Sequence, residues 1–159
     1  IGSGLLYVRK EKIKDIYPMF AVDKPLKDDI RKFEALGTRP FYIEQAIGKA
    51  IEFHEMIGIE RKEKRLHFLK NKKKKKVKNI PKVKLNTSLH PKWGCAIGNV
   101  GIEGKKPNEL DSFLLDKYKV HTVAITWENI VGVRVTPNVY TTTKNLDVLI
   151  EGISAFAKS

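Results

Sequence analysis

A chain of 159 residues, 42% hydrophobic and 31% charged, is long enough for one core, or for one core and a piece of another, and reads as globular. No apolar stretch reaches the roughly 18 residues that a bilayer crossing needs, and the N-terminus lacks the charged, apolar and small-residue succession of a signal peptide. That leaves a cytoplasmic location as the default expectation and no membrane partner. With Cys95 as the single cysteine, an internal disulfide is excluded.

In chain order, Leu5 to Arg9 reads as a strand, Glu11 to Ile16 as a short helical or turn segment ending at Pro18, and Asp23 to Asp28, with Pro25, as a loop. Asp29 to Leu36 is expected to pack irregularly ahead of a glycine turn. From Pro40, the residues Ile43, Ala46, Ile47, Ala50 and Ile51 recur at i, i+3, i+4, i+7 and i+8. That spacing is one face of an α-helix, and Gly58 supplies its stop. Glu60 to about Lys76 reads as a second helix, burying Leu66 and Leu69 with help from Phe68 and turning its lysines outward.

Beyond Pro81 the pattern becomes β-rich. Val83 to Leu85 and Cys95 to Ile102 read as strands, and Pro107 to Tyr118 as a helix with Leu110, Phe113 and Leu114 inward. Val120 to Ile125 and Val131 to Thr136 return to strand, separated by the loop Thr126 to Ile130. Thr143 to Phe156 closes the module, with Leu146, Leu149, Ile150 and Ile153 on one stripe. These elements predict an α/β chain whose C-terminal part is a small α+β layer, with helices on one face of a mainly antiparallel sheet.

The net charge of +13 is unevenly spread. Between Glu60 and Lys84 there are 13 Lys or Arg against 2 Glu, a local +11 that includes the run Lys72 to Lys76. Such a cluster would bind nucleic acid or another polyanion in a salt-dependent way. It has neither aromatic interleaving nor a recognisable binding module, so the reading set against it is a solvated helix face and loop. On that balance nucleic acid is not the expected partner, and polyanion binding stands as the alternative function. The absence of a strong apolar face opposite the lysines argues against membrane docking.

Two places carry chemistry. Arg134 alternates with apolar neighbours in Val131-Gly132-Val133-Arg134-Val135, a segment expected to be at least half buried. A buried guanidinium cannot shed its charge and needs an anion, for which a small-molecule carboxylate fits. An Asp or Glu of the chain, or a solvated sheet face, explains the residue equally. The turn Gly37-Thr38-Arg39-Pro40 precedes a helix N-terminus, where a hydroxyl backed by an arginine suits a phosphate or carboxylate. Ordinary capping by Thr38 is the competing explanation.

A family resemblance connects these places. Gly132-Val133-Arg134-Val135-Thr136-Pro137-Asn138-Val139-Tyr140-Thr141-Thr142, followed by Leu146, Asp147, Leu149 and Ile150, resembles the closing pattern of class V aminotransferases. These are fold-type I pyridoxal-phosphate-dependent enzymes that include cysteine desulfurases and isopenicillin N epimerase-like proteins. Gly2-Ser3-Gly4-Leu5-Leu6-Tyr7-Val8-Arg9 resembles the strand after that family's cofactor-binding lysine. Gly37-Thr38-Arg39-Pro40 resembles the turn before its interdomain helix. The three matches stand in the family's order and span essentially the whole chain.

The resemblance implies that residues 1–57 end the large cofactor-binding domain and supply the interdomain helix, and that 58–159 form the small C-terminal domain. It implies that Arg134 binds the α-carboxylate of an amino-acid substrate. Gly37 and Thr38 would reach the phosphate of the neighbouring subunit's pyridoxal 5'-phosphate, so that active sites form only in a homodimer. The family's Schiff-base lysine, pyridine-nitrogen aspartate and stacking ring would precede Ile1. The chain is therefore expected to be a C-terminal portion that does not catalyse alone.

Cysteine desulfurases use a thiolate on a loop shortly before the matching arginine, and the loop Thr126 to Ile130 has none. Cys95 instead sits in the apolar run Trp93-Gly94-Cys95-Ala96-Ile97, expected as a strand with the thiol an inert core group. Transamination, racemisation or epimerisation, and lyase chemistry remain. His54, His67, His90 and His121 are scattered singly, without the spacing of a metal site. Only His121 lies where a substrate is expected.

Overall fold

In the computed structural model the described residues are 4–21, 26–35, 37–88 and 90–159, with side chains for all of these but 73–75. Gly2 and Ser3 of the first matched segment, residues 23–25 of the expected loop, and Leu36 lie outside them. The chain divides into two compact units, Ile1–Met56 and Ile57–Ser159.

In the first unit, α1 spans Lys10–Ile13, a 3₁₀ turn spans Ile30–Phe33, and α2 begins at Phe41 and runs to Ile57. Segment 29–35 is thus more regular than expected. Lys32 holds it in place: its buried ammonium donates to the carbonyls of Ile13 and, at 3.0 Å, Lys27. Asp29 caps the 3₁₀ turn by accepting from the Arg31 N–H at 2.9 Å, and the Arg31 guanidinium also hydrogen-bonds its carboxylate. These contacts hold the Asp29 carboxyl down at a pKa of about 2, with the side-chain bond the larger cause.

Leu5–Arg9 forms no strand. Strands exist by pairing, and no described residue pairs with this segment, leaving Leu5 83% and Tyr7 86% exposed. Helix α2 forms as its periodicity predicts, and Gly58, at φ +86°, takes the left-handed conformation that ends it. None of its residues is buried: Ile43 and Ile47 are half-buried, while Ala46, Ala50 and Ile51 are exposed.

The second unit opens with α3, Ile59–Val77. Leu69 and Val77 are its buried anchors and Leu66 is half-buried, but Phe68 is half exposed, contrary to expectation. The Arg65 guanidinium lies over the Phe68 ring at 5.5 Å and donates to the Thr141 carbonyl at 2.9 Å, so the aromatic packs on a cation outside the core.

Four strands follow: β1, Val83–Leu85; β2, Gly98–Ile102; β3, Val123–Trp127; and β4, Ile130–Val135. They form one antiparallel sheet in the order β1-β2-β4-β3. Strand β2 begins three residues later than expected because Pro91–Trp93 form a 3₁₀ turn, capped by the His90 Nδ1 atom accepting from the Lys92 N–H at 3.2 Å. Cys95 therefore sits half-buried in a bend rather than in a strand. The expected loop Thr126–Ile130 is a tight hairpin: Thr126 and Trp127 belong to β3, and Glu128, at φ 47°, makes the turn.

Helices α4, Pro107–Tyr118, and α5, Thr143–Lys158, cover one sheet face. Pro107 opens α4 where its missing N–H costs nothing. Thr142 and Asn145 cap α5 reciprocally, the Thr142 Oγ1 accepting from the Asn145 N–H and the Asn145 Oδ1 from the Thr142 N–H. Leu110, Leu114, Leu146, Leu149 and Ile153 meet Val100, Ile102, Val133 and Val135 in one core. Gly152 lets the two helices approach closely, since a Cβ there would come within 2.6 Å of the Leu114 Cδ2. No helix of the described residues is long and apolar enough to cross a membrane.

Candidate functional site: an uncovered guanidinium on the sheet

Alternation along β4 assigns each side chain to a face. Val133 and Val135 point into the core beneath α4 and α5, so Arg134 stands on the other face, together with Gly132. Register extends that face sideways: Arg134 lies opposite Asn99 of β2 and Val123 of β3, and Gly132 lies opposite Ile125. Trp127, 68% exposed, and Lys84 of β1 share it at the margins.

Arg134 is exposed, which corrects the expectation that it is at least half buried. The cause is the one-sided helix layer: β4 shows the same alternating pattern whether one face or both are covered. Among the described residues the guanidinium has no carboxylate, carbonyl or ring partner, so the competing explanation of an internal Asp or Glu is not realised in this structure. The residue is a solvated cation with five free N–H donors, so of the competing explanations the solvated sheet face is the one this structure matches.

Its surroundings are ordered. The Asn86 side-chain nitrogen donates to the Val131 carbonyl at 2.9 Å and to the Asn99 Oδ1 at 2.7 Å. The Asn99 N–H donates to the Thr87 Oγ1 at 2.7 Å, and the Asn86 N–H to the Asn99 carbonyl at 3.1 Å. Gly132 leaves room for this: a Cβ there would lie 2.5 Å from the Asn99 Oδ1 and 2.4 Å from the Val100 carbonyl oxygen.

The other expected site residues belong to the first unit. Gly37, at φ +73°, and Thr38 are exposed, and Thr38 lies three residues before the first helical residue. No hydrogen bond from its hydroxyl caps α2 among the described residues. Arg39 is occupied: its guanidinium meets the Glu44 carboxylate at 2.5 Å and the Glu34 carbonyl at 3.2 Å, so it does not back an anion site as expected.

Around a cleft of about 350 Å³, the turn after α4, the end of β4 and the start of α5 come together. Lys119, His121, Val135, Thr136, Leu146 and Leu149 line it, but Arg134 does not. His121 is on this cleft and not with Arg134, although Thr136, just past the end of β4, is only two residues from Arg134. Among the described residues no group of three or more His, Cys, Asp or Glu is placed to hold a metal ion.

Part of the lysine-rich segment is engaged within the chain. The buried Lys70 ammonium donates to the Gly94 carbonyl at 2.6 Å. Lys76 and Lys72, one turn apart on α3, meet Asp147 of α5 at 2.8 and 3.5 Å. Those contacts, the Lys76 hydrogen bond foremost, hold the Asp147 carboxyl below the ordinary range. Sequence reasoning offered no sign of these roles, because they depend on a tertiary contact between α3 and α5.

No family model matches the chain, and no curated protein matches it. A solved structure does: the apo form of a cysteine desulfurase from Thermococcus onnurineus NA1, with a TM-score of 0.80 at 18% identity, covering 96% of this chain. The two share a fold. This chain spans 42% of that protein's length. The antiparallel sheet with helices on one face is accordingly a fold found in part of that cysteine desulfurase.

Proposed function

We propose that this chain is the C-terminal portion of a pyridoxal-phosphate-dependent enzyme of class V aminotransferase type, acting on an amino acid by transamination or epimerisation. Arg134 is its α-carboxylate ligand. The observation that carries this reading is the fold shared with a cysteine desulfurase over 96% of the chain, and the closing sequence pattern around the arginine supports it. The exposed, unpartnered Arg134 guanidinium, on the sheet face that α4 and α5 leave uncovered, is compatible with that role and also with a plain solvated face. Binding a carboxylate there replaces water on a cation that already protrudes, so no internal ion pair has to break first.

The cofactor's phosphate is assigned to the Gly37-Thr38 turn. The exposed Thr38 hydroxyl, which makes no capping bond, fits a phosphate oxygen, and the positive φ of Gly37 allows a turn too tight for most side chains. Pyridoxal phosphate, when bound, serves as the electron sink for amino-acid chemistry. The residues of this chain orient the substrate by its acid end and anchor the phosphate, and a homodimer brings the Thr38 turn of one subunit to the cofactor of the other. The loop position used by desulfurases carries the Glu128-Asn129 hairpin turn and no thiol, which favours chemistry without a cysteine nucleophile.

The test uses the full-length enzyme. Arg134→Ala is expected to lower kcat/KM for the amino acid by the equivalent of about 2–5 kcal/mol, with the absorbance of the bound cofactor unchanged. Undiminished turnover in that variant refutes the assignment.

A further inference from the structure

Beside Arg134, the hydrogen-bond chain through Asn86 leaves a second donor in a fixed orientation. The Val131 carbonyl can only accept, so the Asn86 atom 2.9 Å from it must be its NH₂ group. The Asn99 atom 2.7 Å from that same nitrogen must then be an acceptor, Oδ1. It follows that the Asn99 NH₂ group is the end turned away from Asn86, and both of its N–H donors are without a partner among the described residues. Asn99 is half-buried, and its backbone is pinned on both sides, its N–H to Thr87 and its carbonyl to Asn86.

Arg134 is the direct cross-strand partner of Asn99 on the same sheet face. Opposed residues of an antiparallel pair place their Cβ atoms about 4.5–5.5 Å apart, within reach of one shared anion. Gly132, beside Arg134 on that face, has no side chain that would displace the Asn99 amide.

We propose that Asn99 is a second carboxylate donor, its side-chain amide and the Arg134 guanidinium closing on one anionic group, with Asn86 the positioning residue that aims it. This rests on the reading of Arg134 given above and adds a specificity element to it. A guanidinium alone attracts any anion, whereas a guanidinium with an oriented amide selects an anion with two oxygens in one plane. Orientation by Asn86 lowers the entropy cost of that contact, because the amide is held before the ligand arrives.

The experiment follows the side-chain N–H resonances of Asn99 and Arg134 by NMR while the 159-residue chain is titrated with N-acetyl-L-alanine, an α-carboxylate without a free amine. The Asn99 NH₂ and Arg134 Nε–H resonances are expected to move together on one millimolar-range saturation curve. Asn99→Asp, isosteric but anionic, should weaken binding by about tenfold or more. Asn86→Ala should weaken it several-fold while the Arg134 resonance still responds. A ligand-induced shift is the readout that a purely structural role for the Asn86–Asn99 pair would not produce. If Arg134 responds and Asn99 does not, or if Asn99→Asp binds as well as wild type, Asn99 is no ligand and the Arg134 reading survives. If neither resonance responds, both readings fall.

Discussion

Replacing Gly132 by alanine puts the packing of the sheet around Arg134 to a severe test. The added Cβ would sit 2.4 Å from the Val100 carbonyl oxygen, 2.6 Å from its carbon and 2.5 Å from the Asn99 Oδ1. An ordinary carbon–oxygen approach is about 3.3–3.6 Å, so the strands must part by about 1 Å. Two of the crowded atoms are backbone and cannot rotate away. A shift of that size takes a hydrogen bond of about 2.9 Å beyond useful range, and the contacts at stake are the Asn86 bridge and the nearest β2–β4 ladder bonds. Losing one or two of them at about 0.5–1.5 kcal/mol each, with residual overpacking of about 1–3 kcal/mol, gives a destabilisation of about 1.5–6 kcal/mol, centred on about 3 kcal/mol. At roughly 4–8 °C per kcal/mol for a unit of this size, that central value lowers Tm by on the order of 10–25 °C. Urea unfolding followed by far-UV circular dichroism measures it. A variant within about 0.5 kcal/mol of wild type would show that β2 and β4 do not approach as described.

Four further outcomes are expected. Gly48→Ala, in α2 with open space around the new Cβ, should raise helicity and stabilise by about 0.5–1 kcal/mol, seen as increased ellipticity at 222 nm. Lys70→Met, which keeps the buried stem but leaves the Gly94 carbonyl without its donor, should cost about 1–3 kcal/mol in urea unfolding, and a neutral result would deny that bond a structural role. Asp147 has a folded pKa depressed mainly by Lys76, so its contribution is present above its ordinary value of 3.8 and is lost as pH falls through that region toward the lower folded value. The stability difference between wild type and Asp147→Asn should therefore shrink below about pH 4 and in high salt, and a difference that grows on acidification would contradict the pairing. Gly152→Ala should destabilise by about 1–3 kcal/mol through contact with Leu114 and Tyr118, in proportion to how far those side chains cannot yield.

The elements legible from sequence were those whose own periodicity sufficed. Helix α4 runs from Pro107 to Tyr118 as its pattern predicts, and the α5 stripe of Leu146, Leu149 and Ile153 is buried as predicted. Strands were read less well, because a strand is defined by its neighbour. Leu5–Arg9 has apolar residues but no pairing partner among the described residues, and β3, expected over Val120–Ile125, starts three residues later at Val123 and runs two further to Trp127, because the hairpin turn is only Glu128-Asn129. Arg134 was found by its oddity in an apolar strand, yet its exposure was not, since alternation does not say how many faces are covered. Asn99 gave no signal at all. Its role depends on a register that brings Asn86, Val131 and Arg134 to it from three separate stretches of chain.

Carboxylate recognition by Arg134 is tested most directly by comparing an acid with its amide. In the full-length enzyme, a panel of the common amino acids identifies the best substrate, and kcat/KM is then measured for it and for its primary amide, in wild type and in Arg134→Ala. The account predicts that wild type strongly prefers the acid and that the variant loses most of that preference, chiefly through weaker turnover of the acid. An acid-to-amide ratio that is the same in both proteins would contradict it.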